Sequence, residues 1–343
     1  MKAVVQHAFG GLDVLSYDDV PDPRVAPHEV LVRTEACSLN RLDVLQREGP
    51  PLLPGFSLPH IAGMDVAGTV VEVGTEVEGL APGDRVVLNP ALECGSCERC
   101  RLGDDGLCPH VSVIGGTRPG GYAEYCAVPA DHAYAIPPGV GFEEAATVPT
   151  VYSTAWHALV TVGRLSIGET LLVHGPGSGV TIAAIQLARR CGARVIVAGR
   201  SEAKLELALR LGAVGVVRLG VDDLAGTCRQ LTGGAGVDIA FDHVGPLFFQ
   251  QTIHALRPRG RLVFCGTTTG TSAAFDLPFA YHFGISLLGS DPYSAREFGE
   301  MLDFYWRGGF EPVVDSRFAL NDAPAAQARM ESGELTGKIL LLP

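Results

Sequence analysis

Val173-His-Gly-Pro-Gly-Ser-Gly-Val-Thr-Ile-Ala-Ala-Ile-Gln-Leu-Ala188 is the stretch on which the fold turns. An apolar run, Glu169–His174, leads into it and reads as a buried parallel strand. Ile182, Ile185, Gln186 and Arg189 follow at helical spacing, and Gly192 offers a stop. Between them, Gly175, Gly177 and Gly179 let the backbone turn tightly and approach a ligand. With Ser178 and Val180 they form a candidate pyrophosphate cradle, since a helix beginning near Val180 presents free N–H groups and a positive dipole end. The Gly-x-Gly-x-x-Gly pattern is incomplete: Val180 stands at its third glycine, with Thr181 next. The strand–helix rhythm continues. Arg194–Gly199, Gly215–Arg218, Val237–Asp242, Arg261–Cys265 and Ile285–Gly289 read as further strands, and Ser201 as the cap of a helix closed by Gly212. This alternation predicts an α/β domain with a doubly wound parallel sheet.

The chain has 343 residues, room for two domains, and 47% apolar against 19% charged residues supports a sizeable core. Its net charge of −12 argues against nucleic-acid or anionic-membrane partners, which call for a basic surface. No apolar run has the length of a signal peptide or a membrane span. A soluble cytoplasmic protein acting on a small molecule is expected.

Before the glycine-rich turn the pattern is different. Val30, Val32, Thr34 and Ala36 alternate with Glu29, Arg33 and Glu35, and Leu31 breaks the alternation. Short strands continue to Leu88 between turns such as Pro82-Gly83-Asp84, which suggests a small, partly open barrel. Cys94-Gly-Ser-Cys97-Glu-Arg-Cys100 follows, and Cys108 stands a short way on. Four thiolates at this spacing close a tetrahedral shell around Zn²⁺. They leave no open coordination position, so the metal is expected to hold the loop Pro90–Thr117 and do no chemistry. Past the parallel strands, Phe298–Trp306 reads as a helix and Leu335–Leu342 ends as a strand.

Taken with Gly63-Met-Asp-Val-Ala-Gly-Thr-Val70, Pro82-Gly-Asp-Arg-Val86, Gly120-Gly-Tyr-Ala-Glu-Tyr125 and Gln186-Leu-Ala188, this order resembles the medium-chain dehydrogenase/reductase superfamily over essentially the whole chain. The resemblance implies a GroES-like, partly open β-barrel catalytic domain at 1–150 with a structural-zinc lobe at about 90–117. It further implies a Rossmann domain at 151–287, a return to the catalytic domain at 288–343, nicotinamide dependence, and a homodimer or homotetramer.

Zinc alcohol dehydrogenases of that superfamily hold a second, catalytic zinc through Cys, His and Cys beside an acidic residue. Motif alignment puts Asn40, Met64 and Thr150 at those places, with Asp65 at the acidic one. The hydroxyl that relays the alcohol proton falls at Leu42. Metal ligands and proton path are thus replaced together. Ser38-Leu-Asn-Arg-Leu-Asp43 instead resembles the Ser-x-Asn-x-x-Asp signature of zinc-independent quinone oxidoreductases and enoyl reductases. By that resemblance Asn40 offers its amide near the nicotinamide or the substrate carbonyl, and Asp43 holds the loop. The tyrosine that follows the Asp in the enoyl-thioester branch is Val44 here.

The expected activity is therefore reduction of quinones or α,β-unsaturated carbonyls without a catalytic zinc. NADPH is the expected cofactor: the second strand ends in Gly199, not in the acid that binds a ribose 2′-hydroxyl, and Arg200, Ser201 and Lys204 follow. An alternative is an NAD(P)-dependent alcohol dehydrogenase or aldehyde reductase with a shifted metal on Cys37, His60 or Asp65. A regulatory nucleotide-binding protein without turnover is a third reading, against which the cofactor turn and the Asn40/Asp43 loop both speak. His157, His174 and His243 read as core or loop residues.

Overall fold

The computed structural model describes residues 1–343, which divide into two compact units: Met1–Thr150 with Tyr293–Pro343, and Val151–Pro292. The return to the first unit starts at Tyr293, five residues beyond the expected 288. No helix is long and apolar enough to cross a membrane.

The first unit is built on a sheet in the order Val314–Ala319, Lys338–Leu342, Glu29–Ser38, Asp65–Val73, Arg85–Leu88, Ala133–Ala135, with Tyr125–Pro129 also paired to Glu29–Ser38. Glu29–Ser38 is the hub, with antiparallel partners on both sides. Its register slips between Leu31 and Val32 and again between Thr34 and Ala36. These irregularities bend the strand and let the sheet curl, and the first is where Leu31 interrupts the sequence alternation. Val30, Val32 and Ala36 are fully buried. Glu29 was expected on the outer face but is buried, because Arg118 Nη2 (2.5 Å) and the Ala26 N–H (3.2 Å) donate to its carboxylate.

The second unit carries six parallel strands in the order Gly215–Arg218, Arg194–Gly199, Thr170–His174, Val237–Asp242, Leu256–Phe264, Ser286–Gly289. Numbered along the chain this is 3-2-1-4-5-6, the order of dinucleotide-binding domains. Thr170–His174 lies at its centre with every residue buried, as its unbroken apolar run requires.

Candidate functional site

The tip of the cysteine lobe is open to solvent, while its base is anchored by buried Leu92 and Ile114 and by Glu93, which pairs with His132 at 3.0 Å. Leu102 and Leu107 are 72% and 53% exposed, and its only strands are the pair Ala91–Leu92 and Ser112–Val113. The four sulfurs of Cys94, Cys97, Cys100 and Cys108 lie within 4.8 Å of one another. Neighbouring sulfurs are 3.4 Å (Cys97–Cys100), 3.5 Å (Cys94–Cys108), 3.8 Å (Cys97–Cys108) and 3.9 Å (Cys94–Cys100) apart. A tetrahedron with Zn–S bonds of about 2.3 Å has S···S edges of about 3.8 Å, so the donor set fits zinc in type and spacing. Backbone N–H groups support it, Cys100 donating to Cys97 Sγ and His110 to Cys108 Sγ.

In the second unit, Thr170–His174 ends at Gly175, whose φ of +74° starts the turn at no steric cost. Helix Gly179–Arg190 follows, with Ser178 at its N-cap accepting from the Val180 N–H at 3.2 Å. Gly177, Ser178, Gly179 and Val180 thus line the helix start, as the sequence suggests. Thr181, just past the glycine pattern, has a structural task of its own. Its buried hydroxyl donates to His174 O (2.5 Å) and meets His243 Nε2 (2.7 Å), tying helix to strand with a hydrogen bond. Burial pushes His174 and His243 down to about 4, so both are neutral; His174 lies in the core and His243 is half-buried beside it.

Arg194–Gly199 ends where a Cβ on Gly199 would lie 2.5 Å from the ring of Pro176 in the glycine-rich turn. An acidic side chain at that strand end is therefore excluded unless Pro176 moves. Arg200 is exposed and makes no ion pair; Ser201 is exposed, and its hydroxyl does not cap helix Glu202–Arg210. Lys204 sits half-buried in that helix's first turn.

The first unit gathers the other candidates around Asp65, which is fully buried at the start of Asp65–Val73. Its Oδ1 accepts from the Thr150 N–H (3.0 Å) and hydroxyl (2.5 Å). Its Oδ2 accepts from Ser38 Oγ (3.0 Å), Asn40 Nδ2 (3.0 Å) and Lys338 Nζ (2.9 Å). Lys338, itself buried, donates also to Leu39 O and Asn40 Oδ1, both at 2.8 Å. Five donors saturate the carboxylate. The three Lys338 hydrogens and both hydroxyl hydrogens are spent within the network. Asn40 keeps one N–H that the network does not use.

Sequence reading brought Asn40, Asp65 and Thr150 to one place, and they do meet. It missed Lys338, whose signal was a lysine opening the apolar run Ile339–Leu342. Asn40 offers less than a free amide: it is 7% exposed, with its oxygen and one N–H engaged. The donors here do not suit a catalytic zinc. Asn40 and Thr150 are weak neutral ligands, Met64 supplies a thioether, and Asp65 has no lone pair to spare. Nor do Cys37, His60 and Asp65 gather their ligand atoms. Cys37 is sealed against Gly63 and Gly121, and burial raises its thiol well above the usual range. His60 bonds Gly115 O at 3.0 Å.

Asp43 is a fastener. Its carboxylate accepts from the Asn40 N–H (2.8 Å), the Gly63 N–H (3.3 Å) and Tyr122 Oη (3.3 Å). It thereby fixes the N-terminus of helix Arg41–Glu48 against the barrel. Burial lifts its pKa from 3.8 to about 7. The raised folded-state value means that the stability it contributes is complete below about pH 4 and is lost as pH rises through about 7. The melting temperature of the wild type should thus fall across that window relative to Asp43→Asn. Parallel melting curves against pH would count against this assignment.

Comparison with known proteins agrees with this layout. The alcohol dehydrogenase GroES-like domain matches residues 26–138, and the zinc-binding dehydrogenase domain matches residues 179–307. An alcohol dehydrogenase of Geobacillus stearothermophilus is 33% identical over 350 residues, covering 99% of this chain and 98% of its own. The crystal structure of an NAD-dependent alcohol dehydrogenase is 40% identical, with a TM-score of 0.95 and full coverage of both chains. A crotonyl-CoA carboxylase/reductase in complex with NADP is 25% identical, with a TM-score of 0.92 over 100% of this chain and 94% of that one.

Proposed function

This chain belongs to the medium-chain dehydrogenase/reductase superfamily, and we propose that it is an NADPH-dependent reductase of quinones or α,β-unsaturated carbonyls working without a catalytic metal. That it is an NAD(P)-dependent oxidoreductase follows from the family. The observation that carries the finer reading is the Asp65 network, whose carboxylate is consumed by five donors and whose one spare donor is an Asn40 N–H.

Bound NADPH supplies a hydride. When hydride adds to the β-carbon of an enone, negative charge moves to the carbonyl oxygen. A Lewis acid would carry that charge for an unconjugated aldehyde. Here an amide N–H is the donor available, which suits an anion already spread by conjugation, as in an enolate or a hydroquinone monoanion. Asn40 donates to that oxygen, and a proton from solvent completes the product. Ser178, Gly179 and Val180 hold the pyrophosphate at the helix start, and the structural zinc orders the cysteine lobe.

The cofactor assignment rests on Arg200. Arg200, exposed and without an ion pair, and the exposed Ser201 hydroxyl follow the end of the second strand, and these donors support a 2′-phosphate there. Arg200→Ala is expected to raise the KM for NADPH about tenfold or more, the roughly 1.5–3 kcal/mol of a charge-assisted hydrogen bond, and to leave that for NADH nearly unchanged. Tighter binding of NADH than NADPH by the wild type would contradict the assignment. The substrate class is tested by NADPH consumption with menadione, crotonaldehyde and saturated aldehydes. The conjugated substrates should turn over, and a preference for saturated aldehydes would favour the alcohol dehydrogenase reading, to which the 40% identical structure lends weight.

A further inference from the structure

We propose that Lys338 is a positioning residue for the reaction: its ammonium group locks the Asn40 amide in the one orientation that offers an N–H to the substrate oxygen. The proposal rests on the functional reading above and adds to it a residue with no assigned role.

An asparagine amide has two orientations of nearly the same shape, related by exchange of oxygen and nitrogen. At Asn40 they differ sharply in electrostatics. As found, Oδ1 faces the Lys338 ammonium at 2.8 Å and Nδ2 faces the Asp65 carboxylate at 3.0 Å. Exchange would set an NH₂ group against the ammonium and a carbonyl against the carboxylate, two repulsive contacts in a buried setting. It would also carry the spare N–H to the far side of the amide. Neither Ser38 nor Thr150 resolves this choice, because both bond to Asp65 and not to Asn40. Lys338 is the side chain that holds the amide oxygen, as Asp65 holds the nitrogen, and the Asp43 N–H faces the same side chain in the capping box of helix Arg41–Glu48.

The lysine is itself rigidly placed. Its third bond, to Leu39 O at 2.8 Å, pins the backbone just before Asn40. Its strand, Lys338–Leu342, pairs with Glu29–Ser38 through Leu340 and Leu341. Gly337, at φ +90°, delivers the chain to that strand past Val313 O, which a Cβ would meet at 2.1 Å. Lysine and asparagine are 298 residues apart in sequence, so the lock forms only in the completed barrel.

Four variants test the proposal: Asn40→Ala, Lys338→Met, the double variant of these, and Asp65→Asn/Lys338→Met, which removes the ion pair without stranding a charge. With crotonaldehyde or menadione and NADPH, Lys338→Met should lower kcat about tenfold or more while the KM for NADPH stays within about twofold. In the Asn40→Ala background the same change should cost less than about threefold, because the group it positions is gone. The neutral pair Asp65→Asn/Lys338→Met should fold and melt close to wild type yet keep the low kcat, and it stands in if Lys338→Met alone does not fold. Full loss in the Asn40→Ala background, or full recovery of kcat in the neutral pair, would overturn the proposal. A readout free of turnover separates it from the functional reading. The Asn40 side-chain amide, assigned in ¹⁵N-labelled protein by its absence in Asn40→Ala, should give one sharp pair of resonances in wild type. In Lys338→Met, or in the neutral pair compared with Asp65→Asn alone, it should broaden or double; an unchanged pair overturns the lock whatever the substrate. Failure of the wild type to consume NADPH with either probe would instead sink the functional reading, while the amide spectrum still decides the role of Lys338.

Discussion

Cys97→Ser is expected to release the zinc and melt the tip of the lobe within Pro90–Thr117, with a large loss of stability. Zinc held by four thiolates contributes on the order of 10 kcal/mol of apparent binding energy in small folded motifs, and in them that energy is folding energy. Serine is a poor ligand for zinc, so three remaining thiolates would hold the ion far less tightly. The tip of the lobe has few apolar contacts of its own: Leu102 and Leu107 are largely exposed, and its helix Glu98–Arg101 is a single turn capped by Cys97 itself, whereas the base is anchored by buried Leu92 and Ile114. The glycine-rich turn belongs to the other unit, so NADPH affinity should be largely kept. Metal analysis and thermal melting check this together. A Cys97→Ser protein with its zinc and its melting temperature intact would refute the site.

The second large effect is catalytic. Asn40→Ala is expected to lower kcat for an enal or quinone about a hundredfold, within the range seen when one oxyanion donor is removed from an enzyme. The KM for NADPH should move less than about twofold. The reason for the split is that the donor acts on charge that develops during hydride transfer and makes no contact that distinguishes bound from free cofactor. The substitution also costs Lys338 and Asp65 one hydrogen bond each, although they still pair with each other at 2.9 Å, so melting temperature must be measured beside the rates. Unchanged kcat in a folded Asn40→Ala protein would remove the amide from the chemistry.

Much of this was legible before any coordinates. Strand period, glycine positions and thiol spacing are local signals, and they placed the parallel sheet, the helix start after Ser178 and the four cysteines. The meeting of Asn40, Asp65 and Thr150 was legible only through motif alignment, since those residues lie far apart in the chain. Lys338 was not legible. A lysine beside apolar strand residues reads locally as an edge charge, and only pairing of the last strand with Glu29–Ser38 carries it to Asp65. Glu29 was misplaced for the same reason: its partner Arg118 is 89 residues away, and alternation alone puts a carboxylate outside. Sequence also could not show that Gly199 is filled by Pro176, which turns a missing acid into an excluded one.

The central claim is that this chain transfers hydride to conjugated acceptors without a metal at Asn40, Met64, Asp65 and Thr150. The most direct test is the zinc content of protein that is turning over crotonaldehyde or menadione with NADPH, before and after a chelator that spares the four-cysteine site. One zinc per chain with undiminished turnover is the predicted result. Two zincs per chain, with activity falling as the second is withdrawn, would contradict it.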